Sequence, residues 1–114
     1  MKNGLYSVHV TALDEGVDWP PGGVVVLRDG VMQGGGPYIY HTGSYSFKEG
    51  RIKGEFVLNQ HTPNEEGHLF FGGREVGVGF CGTYEGDKAE FFGTALIGKR
   101  SVSLRATLRK QPDA

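Results

Sequence analysis

Alternation of apolar and polar residues with a period of two constrains this chain more than any other feature. Between Ser101 and Arg109, Val102, Leu104, Ala106 and Leu108 share one face, and Ser101, Ser103, Arg105, Thr107 and Arg109 share the other. A helix would mix these two sets, whereas a half-buried strand separates them. The same parity runs through 4–12 (Tyr6, Val8, Val10, Ala12 inward), 51–58 (Ile52, Gly54, Phe56, Leu58) and 75–84 (Val76, Val78, Phe80, Tyr84). Turn signals divide the runs. Asp29-Gly30 is a two-residue hairpin turn, and Lys48-Glu49-Gly50, Gly86-Asp87 and Gly98-Lys99-Arg100 mark three more. Eight strands result, at 4–12, 24–28, 31–35, 38–47, 51–60, 75–84, 88–97 and 101–109. Hairpin links make neighbours antiparallel, and eight strands suffice to close a small barrel. The expectation is an all-β, eight-stranded, antiparallel up-and-down barrel of the lipocalin or calycin type, spanning 1–114 as one domain.

Glycine supports that expectation, because 20 of 114 residues are glycine. Each would cost a helix about 1 kcal/mol against alanine, whereas strongly curved sheets use them. Leu, Ile, Val and Phe make up a quarter of the chain, enough for one core. One stretch departs from the strand pattern. Thr62-Pro63-Asn64-Glu65 has the form of a helix start, with Thr as N-cap, Pro at the first position and Glu at the third. It predicts one short helix near 63–71, docked by Leu69, Phe70 and Phe71. The long connection 14–23, with Trp19-Pro20-Pro21-Gly22-Gly23, predicts an ordered loop.

The tripeptide Gly-x-Tyr recurs at 4–6, 43–45 and 82–84, a spacing of 39 residues each time. The same shift carries Gly54 onto Gly93 and Ile52 onto Phe91, and every mapped pair shares the inward parity. A hairpin repeated at least twice is the expectation. His41 shares parity with Ile39, Gly43 and Tyr45. Tyr6, His41, Tyr45, Phe56, Phe80, Tyr84 and Phe91 are therefore candidate lining residues of an interior cavity. Such a cavity would take a small hydrophobic ligand with polar handles from His41 and the tyrosines. The other reading is a filled core whose polar groups bond to main-chain carbonyls.

Charge is nearly balanced, with 12 Lys and Arg against 13 Asp and Glu, which argues on electrostatic grounds against bulk binding of nucleic acid. Five of the basic residues fall in 99–110, but no aromatic residues interleave with them for base stacking, so a solvated strand edge is expected there. His9, His41, His61 and His68 lack metal-ligand spacing, and Cys81 stands on the outward face. Gly34-Gly35-Gly36-Pro37 lacks the Gly-Lys-Ser/Thr of a phosphate loop. No catalytic set converges, so the chain is expected to be non-enzymatic and to use no metal or cofactor. No apolar run is long enough to span a membrane, and 1–9 does not read as a signal peptide. A cytoplasmic location is expected. Phe92 and Leu96 oppose the inward residues of 88–97, and Val24, Val25, Val26 and Leu27 run together. These second apolar faces predict a homodimer with Val25, Leu27, Phe92 and Leu96 in its interface.

The chain resembles the GrlR-like family of small negative regulators of type III secretion genes. The likeness rests on Gly4-Leu5-Tyr6-Ser7, Gly23-Val24-Val25, Asp29-Gly30-Val31-Met32, Gly34-Gly35, Tyr40, Gly43-Ser44-Tyr45 and the hairpin to Ile52. It covers most of 4–60 and only loosely the rest. It implies a lipocalin-like barrel that dimerises and a partner that is a transcriptional activator. The family's partner-binding hairpin corresponds here to Phe47, Lys48, Glu49, Gly50 and Arg51. The family's run of carboxylates is absent from it, and Lys48 and Arg51 bring cations instead.

Overall fold

The structure is a computed structural model describing residues 1–17 and 19–113; Asp18, within the expected loop 14–23, and Ala114 lie outside the described residues. Eight strands follow in chain order: β1 (Gly4–Ala12), β2 (Gly23–Arg28), β3 (Val31–Gly35), β4 (Ile39–Lys48), β5 (Arg51–Gln60), β6 (Val76–Glu85), β7 (Lys88–Ile97) and β8 (Arg100–Lys110). Each pairs antiparallel with its sequence neighbours, and β1 pairs with β8, so the sheet is a closed up-and-down barrel. Closure leaves no free strand edge. The basic segment 99–110 is therefore not an edge, because β8 is paired on both sides.

Alternation decides what lies inside. Tyr6, Val25, Leu27, Ile52, Val78, Phe91, Leu104 and Ala106 are buried, and their chain neighbours point outward. Turn chemistry closes the hairpins. Asp29 and Gly30 both have positive φ (49° and 83°), as do Glu49 and Gly50 (51° and 80°). This is the primed turn whose twist matches the strands it joins. Asn3 braces the first turn, donating from Nδ2 to Asp29 Oδ1 at 3.0 Å and accepting the Asp29 N–H at 3.0 Å.

Three expectations are corrected. No α-helix forms near 63–71. Asn64 Oδ1 accepts the N–H groups of Glu66 and His68, while the Thr62 hydroxyl pairs with the His61 ring. Gly67 takes φ +79°. The would-be first turn is thus held as a loop by side-chain bonds that compete with the helix. Among the described residues, the helical element is a single 3-10 turn at Phe70–Gly73, broken by positive φ at Phe71 and Gly72.

The Val24–Leu27 run does not present Val25 and Leu27 outside. Val25 pairs with the inward Tyr6, so Val25 and Leu27 are core and Val24 and Val26 face out. An unbroken apolar run carries no parity of its own; the neighbouring strand supplies it.

The 39-residue recurrence keeps its faces but not its register. Tyr45 pairs with Gly54, whereas Tyr84 pairs with Ala89 and Gly93 pairs with Phe80. The two hairpins turn at non-equivalent places, so the recurrence is not a structural repeat.

Candidate functional site

The barrel has two unlike ends. The short turns 29–30, 49–50 and 86–87 gather at one, and the long connections 13–22 and 61–75 cover the other. Trp19 and Phe71 meet there with ring centroids 5.3 Å apart, and Tyr38 and Phe70 at 5.9 Å. Gln60 anchors this cover. Its Oε1 accepts the Phe70 N–H at 2.7 Å and its Nε2 donates to the Thr62 carbonyl at 2.9 Å. Trp19 is part of an ordered cover over the barrel mouth, as its loop composition implied.

Beneath the cover lie the expected lining residues. His41, Phe56, Phe80 and Phe91 form a chain of rings with successive centroid separations of 5.7, 6.0 and 4.3 Å. Glycines opposite make room for the rings. A Cβ on Gly43 would collide with the Glu55 carbonyl and Phe56, and one on Gly54 would meet the Phe80 ring. Tyr45 and Tyr84 form a second group towards the short-turn end, joined through Phe47 at 6.2 and 5.7 Å. Tyr6 and Tyr45 are buried and Tyr84 is half-buried. All seven predicted lining residues thus share the interior.

They nearly fill it. The remaining cavity is about 30 Å³, lined by His41, Phe56 and Phe91 together with Trp19, Pro21 and Met32. That is roughly one water's share of liquid volume. A drug-sized ligand needs roughly 300–1,000 Å³. Periodicity could not reveal Trp19 or Pro21, because a loop folding back over a barrel has no period. The Trp-Pro-Pro-Gly-Gly composition was the available signal.

The polar groups inside are under-satisfied. His41 Nδ1 and the Tyr45 hydroxyl have no hydrogen-bond partner among the described residues. This differs from the expected bonding to main-chain carbonyls. Tyr6 does meet that expectation, donating to the Lys2 carbonyl at 2.7 Å. Burial pushes the His41 pKa below 6.5, with a smaller opposing pull from its own main chain. Burial also raises the Tyr6 and Tyr45 hydroxyls above 10, with Asp87 adding to the shift at Tyr6.

The hairpin 47–51 is exposed. Phe47 keeps one face against Tyr45 and Tyr84, and Lys48, Glu49 and Arg51 project into solvent. Arg105 is paired with Glu90 through its Nε at 3.0 Å. Cys81 is exposed. Among the described residues, no group of three or more His, Cys, Asp or Glu is placed to hold a metal, and no helix is long and apolar enough to cross a membrane.

The outer wall carries the remaining apolar groups. Leu5, Val24, Val26, Val31 and Tyr40 stand outside on β1–β4 at 41–58% exposure. Leu5 pairs directly with Val26, and Gly35 pairs with both Val24 and Tyr40, so these side chains share one face. Gln33, Thr42 and Ser44 fill the gaps between them, and Arg28, which pairs with Val31, brings a cation to the edge of the same face. Phe92 and Leu96 stand outside on β7, as expected. Compared with known proteins, the chain matches no family model, no curated protein and no solved structure.

Proposed function

We propose that this protein is a non-enzymatic regulatory module that acts by binding another protein through the outer wall of its barrel. The observation that carries this reading is the apolar face of Leu5, Val24, Val26, Val31 and Tyr40, with Arg28 at its edge. Apolar side chains clustered on one solvent-facing wall favour a protein partner. The likeness to the GrlR-like family over 4–60 supports a cytoplasmic negative regulator, with a lipocalin-like barrel, whose partner is a transcriptional activator. Because Lys48 and Arg51 stand in the hairpin, the contact is assigned to the apolar face and not to a carboxylate run. The alternative, a carrier of a small hydrophobic ligand, is disfavoured by an interior cavity of only about 30 Å³.

Native mass spectrometry tests this, using wild type and Val26→Lys captured gently from the host's lysate. Val26 points outward, so the variant keeps its core. A transcriptional regulator retained by wild type and lost by the variant is the expected result. Retention of a few hundred daltons per chain, or equal retention of the polypeptide by both proteins, would overturn the reading.

A further inference from the structure

His41 stands on β4, paired with Gly34 of β3 and Leu58 of β5, and is 8% exposed. Its Nδ1 has no hydrogen-bond partner among the described residues. The small cavity that it lines is closed towards the mouth by Trp19, Pro21 and Gly22 of the connection 13–22. From β1, β2, β3, β5, β7 and β8 the same cavity is lined by apolar side chains. Among the described residues, no titratable or charged group faces His41 from any of these elements. The titratable groups of the cover lie elsewhere. Glu15, His61, Glu65, Glu66, His68, Arg74 and Glu75 are exposed, and Asp14 Oδ2 accepts the Ser103 N–H at 2.7 Å.

A proton on His41 is therefore costly in the closed barrel. It puts a cation among apolar groups, with no carboxylate to pair it and no acceptor for its Nδ1–H. Relief short of unfolding requires that water reach the ring. His61, also near the mouth, has no such need. Its Nε2 donates to the Gly36 carbonyl at 2.9 Å, and its Nδ1 accepts the Thr62 hydroxyl at 2.7 Å. A second proton there finds the Thr62 oxygen as acceptor, so acid leaves that contact in place. The barrel wall resists opening, because every strand is paired on both sides. The cover is weaker. No residue from 61 to 75 is buried. The segment is held by Phe71 on Trp19, by the Gln60 side chain on the Phe70 N–H and the Thr62 carbonyl, and by His61 on Gly36. Segments with few buried apolar groups open at lower free energy than a core ladder.

We propose that His41 is an acid-sensitive switch for the barrel mouth: when it takes up a proton, the cover formed by 13–22 and 61–75 opens while the eight-stranded wall stays closed. The neutral ring favours the closed mouth and the charged ring favours the open, hydrated one, so protonation and opening are linked. Burial disfavours the cation only while the mouth is closed. Opening therefore takes up one proton, and the open population rises by up to about tenfold for each pH unit below 6.5 until the pKa of the closed form is reached. The switch uses no residue of the outer wall, so it stands or falls separately from the regulatory reading.

Trp19 is the chain's single tryptophan, so its fluorescence reports the cover directly. The test follows Trp19 emission, uptake of the neutral dye Nile red and far-ultraviolet circular dichroism from pH 8 to pH 5, in wild type, His41→Gln and His41→Leu. Below pH 6.5 wild type should shift its emission to the red and take up severalfold more dye, with its strand signal unchanged. Both variants should stay flat over the range. No change in wild type overturns the proposal. So does the same change in a folded His41 variant, or loss of the strand signal together with the emission shift. The His41 ring resonances of wild type, followed by NMR, should titrate with the midpoint of the emission shift. A different midpoint overturns the proposal whether or not the variants fold.

Discussion

Tyr6 and Tyr45 are both buried inside the barrel, yet only the Tyr6 hydroxyl has a partner. It donates to the Lys2 carbonyl at 2.7 Å, while the Tyr45 hydroxyl is buried with none among the described residues. Two residues of the same Gly-x-Tyr motif therefore differ in the sign of what their hydroxyls contribute. Tyr45→Phe is expected to raise stability by about 1 kcal/mol, since it removes an uncompensated desolvation cost. Tyr6→Phe should lower it by about 1 kcal/mol. Urea unfolding of both variants checks this; a loss at Tyr45 equal to that at Tyr6 would show that the Tyr45 hydroxyl is satisfied.

His41 makes stability depend on pH. Its folded pKa lies below 6.5 because burial disfavours the cation. Above pH 6.5 both folded and unfolded chains hold it neutral, so it has no effect on the pH slope. As pH falls below 6.5 the unfolded chain takes up a proton that the folded chain resists, and stability drops. The slope approaches about 1.4 kcal/mol per pH unit until the folded pKa is reached. The difference in unfolding free energy between wild type and His41→Leu, followed from pH 8 to pH 5, should show this drop. A difference that stays constant over that range contradicts it.

Gly43 and Gly77 should respond in opposite ways to alanine. Gly43→Ala forces a Cβ into the Glu55 carbonyl and Phe56, and should cost about 3 kcal/mol. Gly77→Ala meets open space. It should gain about 0.5–1 kcal/mol by stiffening the unfolded chain. Thermal melts of both variants against wild type separate the two.

Trp19 closes the barrel mouth against Phe71. Trp19→Ala should cost about 2 kcal/mol, less than the loss of a fully buried ring because Trp19 is only partly buried. It should also open the interior to small apolar dyes that wild type excludes. Unfolding followed by circular dichroism and dye fluorescence in the folded state read the two effects. Dye uptake equal to that of wild type would show that other parts of the cover seal the mouth.

Strand identity, the inward face and the hairpin turns were legible from residues close in sequence, because period-two alternation and Asp-Gly-type turns are local properties. The seven interior candidates, from Tyr6 to Phe91, followed from parity alone. Three matters were decided only by tertiary structure. Val25 and Leu27 were assigned inward by pairing with β1, because an unbroken valine run has no face until a neighbour provides one. The segment after Thr62 was docked as a loop by Gln60 of β5, whose side chain bonds the Thr62 carbonyl and the Phe70 N–H, and by the His61 ring on the Gly36 carbonyl, although its first four residues read as a helix start. Closure of the sheet, the near-complete filling of its interior by Trp19 and the aromatic rings, and the pairing of Leu96 with Gly77 depend on contacts between distant residues. Periodicity specifies which way a side chain points; only the folded barrel determines what it meets there.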